Sequence, residues 1–216
     1  MFNTPQSSLF GEKIISTISY EESEIIGDIL YLHANGKNID CDPTYSIGKF
    51  YKHEQKPKYK FDKFPQINGV IQADACSLPL EDESVEVIMF DPPFVIGGKV
   101  KSGPEDSNII AKRFTNFLNF EELKDMYSGA LKEFHRILKS NGIVIFKCQD
   151  VVVSAKNHFT HCWVMMEAIQ QGLYPKDLFI YVVENRIIGK MNKQQHARKY
   201  HSYFWVLEKS ECKIKY

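Results

Sequence analysis

Four consecutive residues, Asp91-Pro92-Pro93-Phe94, set an acid, two prolines and an aromatic ring directly after the apolar run VEVIMF at 85–90. Proline donates no backbone hydrogen bond and fixes φ, so the pair cannot continue a central strand. The exit is stiff, and it projects a carboxylate, a free carbonyl and a ring at one edge of a sheet. Acceptors beside an aromatic face suit a planar base with an amino group. Such a base can stack on Phe94 while its NH2 donates to Asp91 and to the Pro92 carbonyl. Alone, the same four residues also describe a plain strand-terminating turn with an exposed acid.

Three earlier acids stand in comparable places. The stretch Asp42-Pro43-Thr44-Tyr45-Ser46-Ile47-Gly48 follows a strand candidate that ends at residues 39–41. Gly48 would let the backbone approach a ligand closely, or would simply make a strand–helix turn. Asp62 comes about twenty residues later, where ribose-binding acids occur in nucleotide-binding sheets. It is equally an acid solvated among lysines. Asp74, in IQADACSLPL, ends a third strand candidate before a Leu-Pro turn.

Other segments offer contacts rather than chemistry. Residues 185–201 (NRIIGKMNKQQHARKYH) carry Arg186, Lys190, Lys193, Arg198 and Lys199 without an acid. With Asn, Gln and His interleaved, they form either a phosphate and base-edge surface or a solvated face. Residues 95–116 hold Gly97, Gly98, Gly103 and Pro104, then Lys112 and Arg113, and read either as a loop over the base pocket or as a surface loop that closes on nothing. Residues 49–63 set six lysines against Glu54 and Asp62. His158, His161 and Cys162 lie close together but supply too few ligands for a metal, so no metal site is expected. Trp163, Met165 and Met166 read as the core face of a helix.

The elements that must position these residues alternate between short apolar strands and amphipathic helices. Ser19 with Glu22 has capping-box spacing, and Ile25, Ile26, Ile29, Leu30 and Leu32 then fall along one helical side up to Asn35-Gly36. The clearest helix covers 120–139, capped by Asn119 with Glu122. Its apolar positions run from Leu123 through Met126, Tyr127, Ala130, Leu131 and Phe134 to Ile137 and Leu138, with Asn141-Gly142 as its stop. Strands are expected at 143–147, 178–183 and 203–207, and a helix at 160–171 before Gly172. This alternation predicts an α/β sandwich with a mainly parallel sheet and helices on both faces. Ligands of such sheets bind beyond the carboxyl ends of the strands, where Asp42, Asp62, Asp74 and Asp91 all fall.

The chain of 216 residues is 44% apolar and 25% charged, enough for one ordinary domain with a real core. Its 27 basic and 27 acidic residues cancel, so an anionic partner must be met by a local patch. Five widely spaced cysteines with no CxxC pair fit a reduced cytoplasmic chain without a disulfide framework. No apolar run is long enough to span a bilayer, and the first residues lack the basic start and apolar core of a secretory leader.

In order, DPTYSIG, the Asp62 stretch, ADACSLPLEDESVEVIMF and DPPF resemble the S-adenosylmethionine-dependent amino-methyltransferases that act on nucleic-acid bases. LKEFHRILKSNGIVIFK and HSYFWVLEK continue the resemblance, which spans roughly residues 37–209 and rests most heavily on DPPF. The family glycine pattern DPFxGxG is matched at Asp42, Pro43 and Gly48, with Ser46 at its first glycine. The resemblance implies a Rossmann-like class I methyltransferase fold with a mainly parallel seven-stranded sheet. A helical lead-in at 1–36 would precede a methyltransferase domain at 37–216, with no large target-recognition domain.

It implies that Asp42 and Gly48 border the methionine part of S-adenosylmethionine, with Ser46 beside them. Asp62 would take the ribose hydroxyls and Asp74, with Ala75, the adenine. Asp91, Pro92 and Phe94 would hold the target base while its exocyclic nitrogen displaces the sulfonium methyl, without metal or covalent enzyme intermediate. Asp at the first and Phe at the fourth motif position favour adenine N6 of DNA. An RNA base, cytosine N4, or a catalytically silent nucleic-acid-binding subunit of the same fold are the alternatives. The implied partners are a nucleic acid and either a second copy of the chain or a separate specificity subunit, with no membrane.

Overall fold

The computed structural model describes residues 14–51, 55–96, 117–183 and 195–210. Strands β1 (Ile18–Ser19), β2 (Cys41–Asp42), β3 (Tyr59–Asp62), β4 (Ile71–Gln72), β5 (Val85–Phe90), β6 (Leu138–Cys148), β9 (Tyr174–Val182) and β10 (His201–Glu208) form one sheet. Helices α1 (Glu22–His33), α2 (Phe120–Ile137) and α3 (Thr160–Gln170) flank it, and β7 (Val151–Val153) pairs with β8 (Lys156–His158) in a separate hairpin. The strand order is β1-β9-β10-β6-β5-β2-β3-β4. Strand β10 runs antiparallel to both β6 and β9, and every other pairing in the sheet is parallel. This is a Rossmann-like, mainly parallel α/β sheet flanked by helices that resembles the expected class I methyltransferase fold, its seven strands extended by the two-residue edge strand β1. Among the described residues no helix is long and apolar enough to cross a membrane.

Alternation along the central strands feeds two cores. In β5, Ile88 and Phe90 join the layer made with α2 and α3, while Val87 and Met89 join the layer under α1. Strand β6 does the same, with Val144 and Phe146 on the first side and Ile143 and Ile145 on the second. Phe90 meets Phe134 and Phe146 edge to face, each with ring centroids 4.9 Å apart. The carboxylate of Asp40 ties β2 to β5 by accepting from the backbone N–H groups of Glu86 (2.7 Å) and Val87 (3.1 Å).

Most elements fall where the sequence places them, and four details differ. Glu21, not Ser19, stands at the N-cap of α1, because Ser19 is paired with Tyr181 in the edge strand. Its hydroxyl still serves the helix start, accepting from Glu21 N–H and donating to Glu24. Leu32 on that helix is 45% exposed, so the core face is Ile25, Ile26 and Ile29. Asn119 caps α2 as expected, accepting from Glu122 N–H, but the helix stops at Ile137, before Asn141-Gly142. Leu138 already pairs with Val85 in the sheet, and Asn141, at φ +62, turns the following residues back into register. On α3 the buried face is Thr160, Val164 and Ala168, and Met166 is 57% exposed.

Candidate active site

The carboxyl ends of β2, β3, β4 and β5 open into one cavity of about 520 Å³. Ser46, Asp62, Asp74 and Ala75 line it together with Asp91, Pro92 and Phe94. These seven sequence-selected residues therefore share one space. Asp42 and Gly48 are not among its lining residues.

Asp42 is turned inward and is 1% exposed. Its Oδ2 accepts from the Tyr51 hydroxyl (2.8 Å), and its Oδ1 accepts from Thr44 N–H (2.8 Å) and the Thr44 hydroxyl (3.2 Å). The Thr44 hydroxyl oxygen in turn accepts from Asp91 N–H at 2.9 Å. Asp42 thus fixes the loop after β2 and, through Thr44, the first residue after β5. Burial pushes its carboxyl up to about 7, against the pull of the Tyr51 and Thr44 hydrogen bonds.

The same loop explains the two residues of the glycine pattern. Ser46 has φ +50 and Gly48 has φ +68, both in the left-handed region that glycine tolerates best. Ser46 is held there by donating its N–H to Asp62 Oδ2 at 2.9 Å. At Gly48 an added Cβ would lie 2.5 Å from the Tyr45 hydroxyl, so the missing side chain makes room for the Tyr45 ring, which stacks on Tyr51.

The remaining acids keep acceptor capacity toward the cavity. Asp62 accepts from Ser46 N–H and from Phe64 N–H (2.7 Å), which leaves lone pairs on both oxygens. Asp74 is less free. Its Oδ1 accepts from Cys76 N–H (3.0 Å) and its Oδ2 pairs with Lys63 (2.9 Å). Burial acts to raise its carboxyl, but the Cys76 N–H and Lys63 outweigh it and hold the group below the usual range. The turn after Asp74 is pinned to α2 by Arg136, whose guanidinium donates to the carbonyls of Leu78 and Leu80 and pairs with Glu133 and Asp82.

Asp91 meets a residue that the sequence reading passed over. Lys147, 8% exposed near the end of β6, sets its Nζ 3.3 Å from Asp91 Oδ1 and 2.7 Å from Glu22 Oε1. Burial raises the Asp91 carboxyl and Glu22 adds to that, while Lys147 pulls it down; the net direction is upward. Burial depresses the Lys147 ammonium, yet Asp91 and Glu22 outweigh it and raise the group above its ordinary value. The arrangement keeps one cation between two carboxylates at the edge of the cavity, which all three residues line. The visible signal was a lysine at the end of the apolar run IVIF, two residues beyond Ile145 and so on the α1 side.

Of the basic residues, Arg198 and Lys199 are half-buried in the segment entering β10, with Lys199 Nζ 6.0 Å from the centre of the Phe159 ring. Lys112, Arg113, Arg186, Lys190 and Lys193 lie outside the described residues, as does most of the 95–116 loop.

No protein-family model matches the chain, and no curated protein matches it. Solved structures do. A Thermus thermophilus protein, provisionally named a DNA modification methylase and complexed with S-adenosylmethionine, is 16% identical with a TM-score of 0.44, over 66% of this chain and 56% of that one. The PvuII cytosine-N4-specific DNA methyltransferase is 18% identical with a TM-score of 0.47, over 73% and 53%. TYW2 of M. jannaschii, complexed with AdoMet, is 15% identical with a TM-score of 0.43, over 79% and 68%. The chain spans about half the length of the first two.

Proposed function

We propose that the chain is an S-adenosylmethionine-dependent methyltransferase acting on the exocyclic amine of a nucleic-acid base, adenine N6 of DNA. The observation that carries this reading is the shared cavity, in which acceptors suited to a nucleoside cofactor adjoin an acid–proline–proline–aromatic corner suited to a base. Its volume of about 520 Å³ falls in the range of small-molecule and cofactor sites, roughly 300–1,000 Å³. Ser46, Asp62, Asp74 and Ala75 are the residues that would hold the cofactor. Spare lone pairs on Asp62 suit ribose hydroxyls, and Asp74 is an acceptor for an adenine amine. When bound, S-adenosylmethionine supplies a methyl group made electrophilic by its sulfonium.

The chain's own residues then act on the base. Phe94 offers a stacking platform, and the Pro92 carbonyl and the Asp91 carboxylate accept from the NH2 group. Those hydrogen bonds favour a pyramidal nitrogen and stabilise the positive charge that develops there. Lys147 holds Asp91 from behind through Oδ1, so the carboxylate keeps its orientation and its charge in a half-buried place. Arg186, Lys190, Lys193, Arg198 and Lys199, with Lys112 and Arg113, are the proposed phosphate contacts; target choice rests on them or on a separate subunit.

The test is incubation with labelled S-adenosylmethionine and separate DNA, tRNA and rRNA pools, followed by nucleoside mass spectrometry. N6-methyldeoxyadenosine is expected. Label in RNA only, or on cytosine N4, overturns the substrate and leaves the chemistry standing. Asp91→Ala should cost on the order of a hundredfold in turnover while cofactor binding persists; full activity in that variant overturns the assignment of Asp91.

A further inference from the structure

A second constellation of reactive groups stands at the start of α3, apart from the residues that line the cavity. Asp150, two residues beyond β6, is 4% exposed, and its Oδ1 lies 2.7 Å from His161 Nδ1. The backbone N–H of His161 points to the same oxygen at 3.3 Å. An ionised carboxylate only accepts, so Nδ1 carries the ring proton and Nε2 is left with its lone pair. Nε2 lies 3.3 Å from the sulfur of Cys162, whose S–H is its donor. The imidazole is held on its other sides as well. It stacks on Tyr203 with centroids 4.1 Å apart, and the backbone of the same residue is held by Trp205 Nε1–H, which donates to the His161 carbonyl at 3.1 Å. Tyr203 Oη meets Asp150 Oδ2 at 3.5 Å and His201 Nε2 at 2.9 Å, so Asp150 and Tyr203 face the imidazole and His201 reaches it only through Tyr203.

We infer that Cys162 is a base-activated, reversible modification site that exchanges with low-molecular-mass disulfides. A nucleophile within reach of a base that a third group orients is the arrangement of activated thiols, and Cys162 is exposed to solution. It stands in the first turn of α3, beside the imidazole that takes its proton. In the step, the Cys162 proton passes to His161 Nε2 and the thiolate attacks one sulfur of the disulfide. That S–S bond breaks, a new bond to Cys162 forms, and the leaving thiolate takes the proton back from the imidazolium. Cys162 is oxidised and the released half of the disulfide is reduced, so the step balances.

The other described cysteines lack this setting. Cys41 and Cys148 are buried, and burial raises both thiols well above the ordinary value. Burial, with Asp74 beside it, pushes the Cys76 thiol up to about 11. The full chain is treated with oxidised glutathione from pH 6 to 9, and the adduct is mapped by peptide mass spectrometry and timed. A mixed disulfide on Cys162 is expected, forming at pH 7 at least tenfold faster than at the same cysteine in the urea-unfolded chain. His161→Gln, checked for folding by circular dichroism, should lose that advantage and show a rate that climbs with pH like an ordinary thiol. Asp150→Asn should fall between the two. A folded-state rate at Cys162 no faster than the unfolded one overturns the inference, whatever the variants do. An unchanged pH profile in folded His161→Gln overturns the role of the imidazole.

Discussion

Replacing Lys147 by Met tests how the cavity keeps an acid charged in a half-buried place. The substitution keeps most of the side-chain volume and removes the cation that stands between Asp91 and Glu22. At 3.3 Å, the attraction between Lys147 and Asp91 is about 5 kcal/mol in an effective dielectric of about 20. Asp91 is 27% exposed on its side chain, so that figure is a ceiling, and about 3 kcal/mol is the reasonable loss for breaking such a pair. The loss depends on pH. Without the ammonium, the Asp91 carboxyl, already raised, rises further, so the folded variant holds a proton that the unfolded chain gives up above the ordinary aspartate range. Stability of Lys147→Met should therefore fall with rising pH toward neutrality, and the gap to the unsubstituted chain should widen, approaching about 1.4 kcal/mol per pH unit, once the parent's own raised carboxyl has given up its proton. Urea unfolding of both proteins at half-unit steps from pH 4 to 8 reads this directly and needs no substrate. A stability difference that stays constant across that range would refute the coupling and leave Lys147 as mere packing.

Asp42→Asn removes a carboxyl that burial raises to about 7. The folded chain holds that proton between the ordinary aspartate range and about 7, so the group costs stability as pH rises through this window. The asparagine variant should lose the slope and match or exceed the parent above pH 7 in urea melts. Ser46→Gly should stabilise by up to about 1 kcal/mol, because φ +50 is strained for serine, whereas Gly48→Ala should lose about 1–3 kcal/mol from φ +68 and the Tyr45 clash. Thermal melts of the pair that moved in the same direction would overturn that reading of the loop. Arg136→Ala leaves the Leu78 and Leu80 carbonyls and Glu133 without their main donor and should cost about 1–3 kcal/mol. Arg136→Lys should recover only part in the same denaturation assay, since an ammonium cannot span the fork.

Much of the fold was legible because its strongest patterns are local. The apolar run of β5 and the three- and four-residue spacing of α2 belong to segments whose burial leaves few choices. Helix and strand ends were less legible, because partners distant in sequence decide them. The α2 helix could continue through Leu138 to Asn141-Gly142 on its own propensity. It ends earlier because pairing Leu138 with Val85 starts β6 at once. Ser19 shows the same competition, with its pairing to Tyr181 overriding a good capping spacing.

The site divides along the same line. Asp62, Asp74 and Asp91 could be picked out because each closes or follows a strand, and such positions converge at the carboxyl edge of a parallel sheet. Asp42 has the same sequence credentials and a different position, since Tyr51 and Thr44 turn its carboxyl away from the cavity. Lys147 needed one more fact than a single strand carries. Its side follows from two-residue alternation past Ile143 and Ile145, and that of Asp91 follows from Val87 and Met89. That they stand side by side depends on the register that sets Phe90 against Phe146. Register is a relation between strands, which neither strand states alone. A charged residue at the end of a buried run is thus evidence of a buried counter-charge, and the neighbouring strand's last residues are where to look for it.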